Sequence, residues 1–380
     1  MTLSALSLTD QMVRIPSVLP REEALAEFVA DQIRGLGLEP EWQEVEPGRP
    51  NVWCLAEVGE GSSLVTFTGH LDTVGVAEGW ETDPFTPTIR EGRLYGLGAL
   101  DMKSGLACAL EAFERMLARG AAGGPGRVAF AATVDEEGLG TGARALLQTP
   151  LAASDLILLP EPFSGRSAGD PVPIAMPGKI LYRIRVRGRS SHALSHPERG
   201  INAVDDAARI VAALDRLPLG EHPQLGRASC CTLKIDGGYR DYAVVVPEQC
   251  EVIVTRLLVP GETRKLAVRQ LEELVASLRL ASTVSIDTPP PAYQPFALDP
   301  GSPAVAAFRG AYAAVHGRDP VLAGLPGIAD NNIYVAEGGI PTIAHGPTGQ
   351  GLHEAGEYVE VASLAPCVEV LVNTARAFAA

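Results

Sequence analysis

The chain has 380 residues, of which 46% are hydrophobic and 20% charged, so it holds apolar side chains enough for more than one compact core. A formal net charge of -15 disfavours nucleic acid and anionic membrane surfaces as partners and leaves the substrate open. The opening MTLSALSLTDQMVRIPS has no basic stretch leading into a long apolar core, and no run approaches the roughly 20 apolar residues of a membrane helix. A cytoplasmic protein with no secretory signal and no membrane span is expected. The six cysteines, Cys54, Cys108, Cys230, Cys231, Cys250 and Cys367, form no CxxC pair and suit free thiols in a reducing compartment.

The first part alternates helix and strand patterns. Apolar residues at Leu25, Phe28, Val29 and Ile33 predict a helix over 23–36. Leu64 to Phe67 reads as a short buried strand running into His70. A helix is expected over 102–117 with Asp101 as its N-cap. Strands over 127–134 and 156–159 lead into Asp135-Glu136-Glu137 and Glu161. The candidate site residues therefore fall at strand ends, as in a doubly wound sheet.

The pattern then changes. Ile180, Tyr182, Ile184 and Val186 alternate with Arg183, Arg185 and Arg187, the mark of an antiparallel strand with one wet face. A helix over 203–214, strands over 231–235 and 251–257, a helix over 262–280 and a strand over 283–287 complete a βαββαβ order, which reads as ferredoxin-like. Pro289-Pro290-Pro291 makes a stiff exit, and helix and strand alternate again up to a helix over 363–379. The expected architecture is α/β, a doubly wound, mostly parallel sheet split into 1–175 and 292–380 by an inserted α+β domain over 176–291.

Three clusters carry the chemistry. Gly69-His70-Leu71-Asp72-Thr73-Val74, Asp101-Met102-Lys103 and Asp135-Glu136-Glu137-Gly138 each sit where an apolar run meets a turn. Imidazole and carboxylate donors together suit zinc or a similar divalent ion, and a second adjacent Glu offers a base for an activated water.

With Glu161-Pro162, Ser191-His192-Ala193, Gly200-Ile201-Asn202-Ala203, Leu352-His353-Glu354 and Glu357-Tyr358-Val359, the chain resembles the co-catalytic di-zinc amidohydrolase family of aminoacylase, acetylornithine deacetylase, succinyl-diaminopimelate desuccinylase and glutamate carboxypeptidase. The resemblance runs over nearly the whole length. It implies two divalent ions per chain, zinc first, with cobalt or manganese also suited to such donors. Asp101 would bridge them, Glu137 and His353 completing one site and His70 and Glu161 the other. It also implies Glu136 as general base, Asp72 as the partner that orients the His70 imidazole, and His192 as a donor to the scissile carbonyl oxygen, reaching it on lid closure or from a second subunit. Arg256 would pair a substrate carboxylate.

The implied substrate is an N-acyl amino acid, with dipeptide or carboxypeptidase substrates as the alternative and a non-catalytic metal-binding homologue as a lesser one. Trp80 to Phe85 and Gly92 to Lys103 are similar to the deacetylase and desuccinylase branch. The inserted domain implies a homodimer, as a lid and dimerisation domain. The chain departs from the family at Val244-Val245-Val246-Pro247, Ala329-Asp330-Asn331-Asn332 and Gly346-Pro347-Thr348-Gly349, positions that shape the pocket rather than the metal site.

Overall fold

The structure, a computed structural model, describes residues 3–118, 124–162, 171–239, 241 and 244–379. The chain divides into two compact units. One comprises Met1–Ile174 with Ala297–Ala380, and the other Ala175–Phe296.

The first unit is built on a six-stranded sheet in the order Glu41–Glu46, Arg49–Glu57, Arg127–Thr133, Leu64–His70, Leu156–Leu159, Thr342–Ala344. The last four run parallel, and the first two join antiparallel. Leu64–His70 is buried along its whole length, Thr66 and Thr68 included, as is Leu156–Leu159, whose unbroken apolar run suits a strand covered on both faces. From Leu64–His70 the chain adds Arg127–Thr133 on one side and then Leu156–Leu159 on the other. Neighbouring strand ends part there, so a crevice opens at the carboxyl end that carries His70.

Helix Ser104–Ala118 packs on this sheet and on Val361–Ala379, which in turn packs on Pro303–His316. Among the described residues, Val361–Ala379 is the one helix long and apolar enough to cross a membrane by length and composition. Its apolar side is core here: Leu364, Cys367, Val368, Leu371 and Ala375 join the same buried cluster as Phe67, Phe113 and Phe130.

The second unit has a four-stranded antiparallel sheet in the order Cys230–Gly237, Gln249–Leu258, Gly178–Arg187, Thr283–Asp287. This is the ferredoxin-like order, with helices Ala203–Ala213 and Arg264–Ser277 contributing Ala207, Ile210 and Leu271 to a core with Ile180, Tyr182, Ile184 and Val186. Strict alternation along Gly178–Arg187 follows from one face meeting those helices and the other meeting water. Asn202 caps the first helix by accepting from Val204 and Asp205 N–H, and Thr263 caps the second by accepting from Leu266 N–H.

One local expectation is corrected. Asp101 does not cap a helix beginning at Met102. The backbone over Ala99–Lys103 leaves helical geometry at Asp101, with φ -112 and ψ 100, and at Met102, and the regular helix begins at Ser104, so the Asp101 carboxylate is left for other partners.

Candidate active site

Four segments of the first unit meet at the carboxyl end of the sheet. His70 is the last residue of its strand and Glu161 follows Leu156–Leu159, while Asp135-Glu136-Glu137 follows Arg127–Thr133. Asp101 arrives on the turn before helix Ser104–Ala118. That turn begins at Gly98, with φ 75, where an added Cβ would also lie 2.6 Å from Thr73 Cγ2. The helix start lies against Glu161's strand, since a Cβ on Gly105 would collide with the Pro160 carbonyl oxygen.

Asp101 stands between two imidazoles. Its Oδ1 is 3.1 Å from His70 Nε2, and its Oδ2 is 3.1 Å from His353 Nε2. His353 Nε2 also lies 3.0 Å from Glu137 Oε1, and His70 Nε2 lies 3.8 Å from Glu161 Oε2. The five residues therefore sort into two sets that share Asp101: His70 with Glu161, and His353 with Glu137. Asp135 and His353 both adopt left-handed backbone, with φ 68 and φ 60, a conformation uncommon outside glycine and found here at the site itself.

The electrostatics suit a cation-binding centre. Asp101 and Glu137 push the exposed His353 imidazole up to about 10. Burial opposes charge on His70, yet Asp101 and Glu161 hold its pKa well above the ordinary value. Burial would lift Asp101, but its two imidazole partners hold it below the usual carboxylate range. Burial, reinforced by Asp101, pushes Glu161 up to about 8. Glu161 Oε2 is buried without a hydrogen-bond partner, a costly state for a carboxylate oxygen unless a cation answers it. His70 Nε2, an Asp101 oxygen and a Glu137 oxygen lie within 4.8 Å of one another, close enough to ligate one ion. Two imidazoles with hard carboxylates form a donor set that fits a divalent cation such as zinc.

Glu136 lies beside these groups. Burial raises its pKa well above that of an ordinary Glu, and Glu161, Asp330 and Glu137 add to the shift. A carboxylate so placed holds a proton more readily than an ordinary Glu.

Asp72 does something other than expected. His70 Nδ1 donates to the backbone carbonyl oxygen of Asp72 at 2.9 Å, while the Asp72 carboxylate stays 3.7 Å away. The carbonyl thus fixes the tautomer that leaves Nε2 to a ligand. The carboxylate instead accepts from Glu136 N–H at 3.2 Å and Glu137 N–H at 2.9 Å, tying the first cluster to the third.

Arg256 is corrected outright. It is fully buried in the second unit, 2.6 Å from Glu262 Oε1, 2.7 Å from Gln270 Oε1 and 3.3 Å from the Tyr182 hydroxyl. A guanidinium enclosed in this core and bonded to Glu262, Gln270 and Tyr182 is not presented to a substrate carboxylate, although its Nε has no hydrogen-bond partner. Its strand position faces the core, and the acid six residues on satisfies it. Arg256→Met is expected to destabilise the protein by about 3–5 kcal/mol, because Glu262 would keep a buried charge without its partner. Urea unfolding and KM measured side by side check this; a raised KM at unchanged stability would restore the substrate role.

His192 also belongs to the second unit, on an exposed turn. Its Nδ1 accepts from Leu194 N–H at 3.2 Å, which places the ring proton on Nε2.

Sequence reasoning passed over Glu357 as a functional group although it stood in a quoted motif. It is buried, and its carboxylate accepts from the N–H groups of Gly98 at 2.8 Å, Leu100 at 2.7 Å and Asp101 at 2.9 Å. Glu357 therefore shapes the turn that presents Asp101. The signal available in the sequence was an acid at the head of the apolar Tyr358–Glu360 strand, where a solvent-facing side chain is the ordinary reading.

The sequence model described as peptidase family M20/M25/M40 matches residues 66–377. Succinyl-diaminopimelate desuccinylase of Methylorubrum extorquens is 32% identical over 370 residues, covering 95% of each chain. The desuccinylase of Nitrosococcus oceani is 28% identical over 371 residues, again covering 95% of each. Among solved structures, aminopeptidase PepT from Bacillus cereus superposes with a TM-score of 0.80 at 22% identity, covering 99% of this chain and 98% of that one. The M20 family metallo-carboxypeptidase Sso-CP2 from Sulfolobus solfataricus gives 0.76 at 16% identity, covering 99% of each chain. These last two establish a shared fold. The chain belongs to peptidase family M20/M25/M40 and is a metal-dependent hydrolase of amide bonds.

Proposed function

We propose that this hydrolase removes the acyl group from an N-acyl amino acid, with an N-succinyl group the first candidate. Asp101, with one oxygen toward each of two imidazoles, is the observation that carries the reading. The names of the full-length relatives support the succinyl group.

In this reading His70, Asp101 and Glu161 hold one divalent ion, and Asp101, Glu137 and His353 a second, with zinc the natural occupant of such donors. A metal pair bound there would acidify the attacking water and take up negative charge on the carbonyl oxygen. Glu136 receives the water proton at its carboxylate and returns it to the leaving amine nitrogen. Its raised affinity for a proton is what that shuttle requires. The Asp72 carbonyl keeps the His70 proton on Nδ1, so Nε2 remains a donor to metal. His192, with its proton on Nε2, donates to the carbonyl oxygen as charge develops there, from the same chain or from a second copy.

The inserted unit, taken as residues 176–291, is the proposed lid and dimerisation domain. Its edge strand Cys230–Gly237 leaves Leu233 58% and Ile235 52% exposed, an apolar edge suited to a second copy. Six free cysteines support action in the cytoplasm.

The test is release of primary amine from N-succinyl-diaminopimelate, other N-succinyl and N-acetyl amino acids and dipeptides, comparing metal-stripped with zinc-loaded protein. Metal-dependent release from succinyl substrates is expected. Preference for dipeptides would assign a peptidase, and no release by protein holding two ions per chain would overturn the deacylase reading.

A further inference from the structure

Buried charged groups, Glu22, Arg49 and Asp135, lie against the Glu136–Glu137 loop. We infer that Arg49, acting through Asp135, is a positioning residue for this pair. The inference rests on the reading of Glu136 as proton carrier and Glu137 as metal donor.

Arg49 and Asn51 stand two residues apart on strand Arg49–Glu57, and hence on one face of it. Both reach the loop over 134–142. Arg49, 7% exposed, makes a fork with the fully buried Glu22, with Nε 3.0 Å from Oε2 and Nη2 2.5 Å from Oε1. Its Nη1 donates to Glu46 Oε2 at 2.7 Å, and Nη2 also donates to Asp135 Oδ1 at 3.0 Å. Asp135 Oδ2 then accepts from Thr141 Oγ1 at 2.7 Å and from the N–H groups of Thr141 and Leu139, each at 3.2 Å. Asn51 Oδ1 accepts from Val134 N–H at 3.0 Å, and its Nδ2 donates to the Gly142 carbonyl at 2.9 Å.

The bonds of Asp135 hold the residue immediately before Glu136 to Arg49 and to Leu139 and Thr141, and those of Asn51 hold the loop's two ends at Val134 and Gly142. Asp135 sits at φ 68, a left-handed conformation that Asp and Asn adopt more readily than other side chains. From the other side, Asp72 takes the N–H groups of Glu136 and Glu137. The peptide that carries both glutamates is therefore clamped between two carboxylates, and one of those is oriented by Arg49. A buried charge network is a poor device for stability alone, since apolar replacements of such pairs are often neutral or better. It is a good device for holding a proton carrier within the ångström on which its rate depends.

Asp135→Asn is the first test. Asn tolerates the positive φ and keeps one acceptor, so it separates the charge from the backbone conformation. Arg49→Lys, which keeps the charge and loses the planar fork, is the second, for the case that the first variant folds poorly. Each is read three ways: kcat and KM on the best panel substrate, zinc affinity by chelator competition, and the absorption bands of cobalt-substituted protein. The expected result is kcat lower by about 10–100-fold with KM within about threefold, zinc affinity lower by about 10–100-fold, and shifted cobalt bands. Folded variants with wild-type kcat, zinc affinity and cobalt bands would overturn the positioning role and leave the Glu136 reading standing. Glu136→Gln in parallel tests that reading itself. Should Glu136→Gln turn over like the wild type, the proton-carrier role falls and the zinc and cobalt measurements still decide whether Asp135 and Arg49 place Glu137.

Discussion

Glu136→Gln is expected to lower kcat by about 10²–10⁴-fold while metal content and KM stay near wild type. The substitution keeps the size of the side chain and its carbonyl acceptor but removes the group that can take a proton. Its backbone N–H still donates to Asp72, so the loop and its neighbour Glu137 are undisturbed. Burial and the nearby carboxylates favour the protonated form of Glu136, and a neutral Gln is therefore well accommodated. Steady-state kinetics with metal analysis on the same preparation check this. Turnover near wild type with metal bound would remove Glu136 from the mechanism.

Asp101→Asn is expected to weaken binding of divalent metal by at least about 100-fold, and activity should fall with it. Supporting partners of ligands already account for about 10–100-fold, and Asp101 stands inside that circle. It serves both imidazoles, with one oxygen toward each. An amide supplies one neutral oxygen in place of two charged ones and turns an NH₂ group toward one side of the site. Equilibrium dialysis with zinc measures the outcome; wild-type affinity in this variant would falsify the bridging role.

Much of the architecture was legible because burial leaves a periodic trace. The strand expected over 283–287 spans Thr283–Asp287, and the helix expected over 203–214 spans Ala203–Ala213. The runs before Asp135 and Glu161 are apolar with little alternation because a parallel sheet is covered on both faces, and the run before His70 buries Thr66 and Thr68 as well as Val65 and Phe67. Turns and caps are less legible. Asp101 has the residue type and the place of an N-cap, yet the backbone bends through Ala99–Lys103 and the helix starts later. What bends it is Glu357, more than 250 residues on, accepting three N–H groups of that turn.

The sequence by itself determined the periodicities that set each strand and helix, and the types and order of the candidate donors. Those are properties of near neighbours in the chain, where side-chain direction follows from the backbone repeat. Only the tertiary structure decided which donors meet and what each charged group faces. It brought His353 to Asp101 across 252 positions, gave the Asp72 carboxylate to the Glu136 and Glu137 amides, and locked Arg256 against Glu262 inside a core. A buried charge must be answered by whatever the fold brings within about 3 Å of it, and no local pattern in the chain encodes that partner.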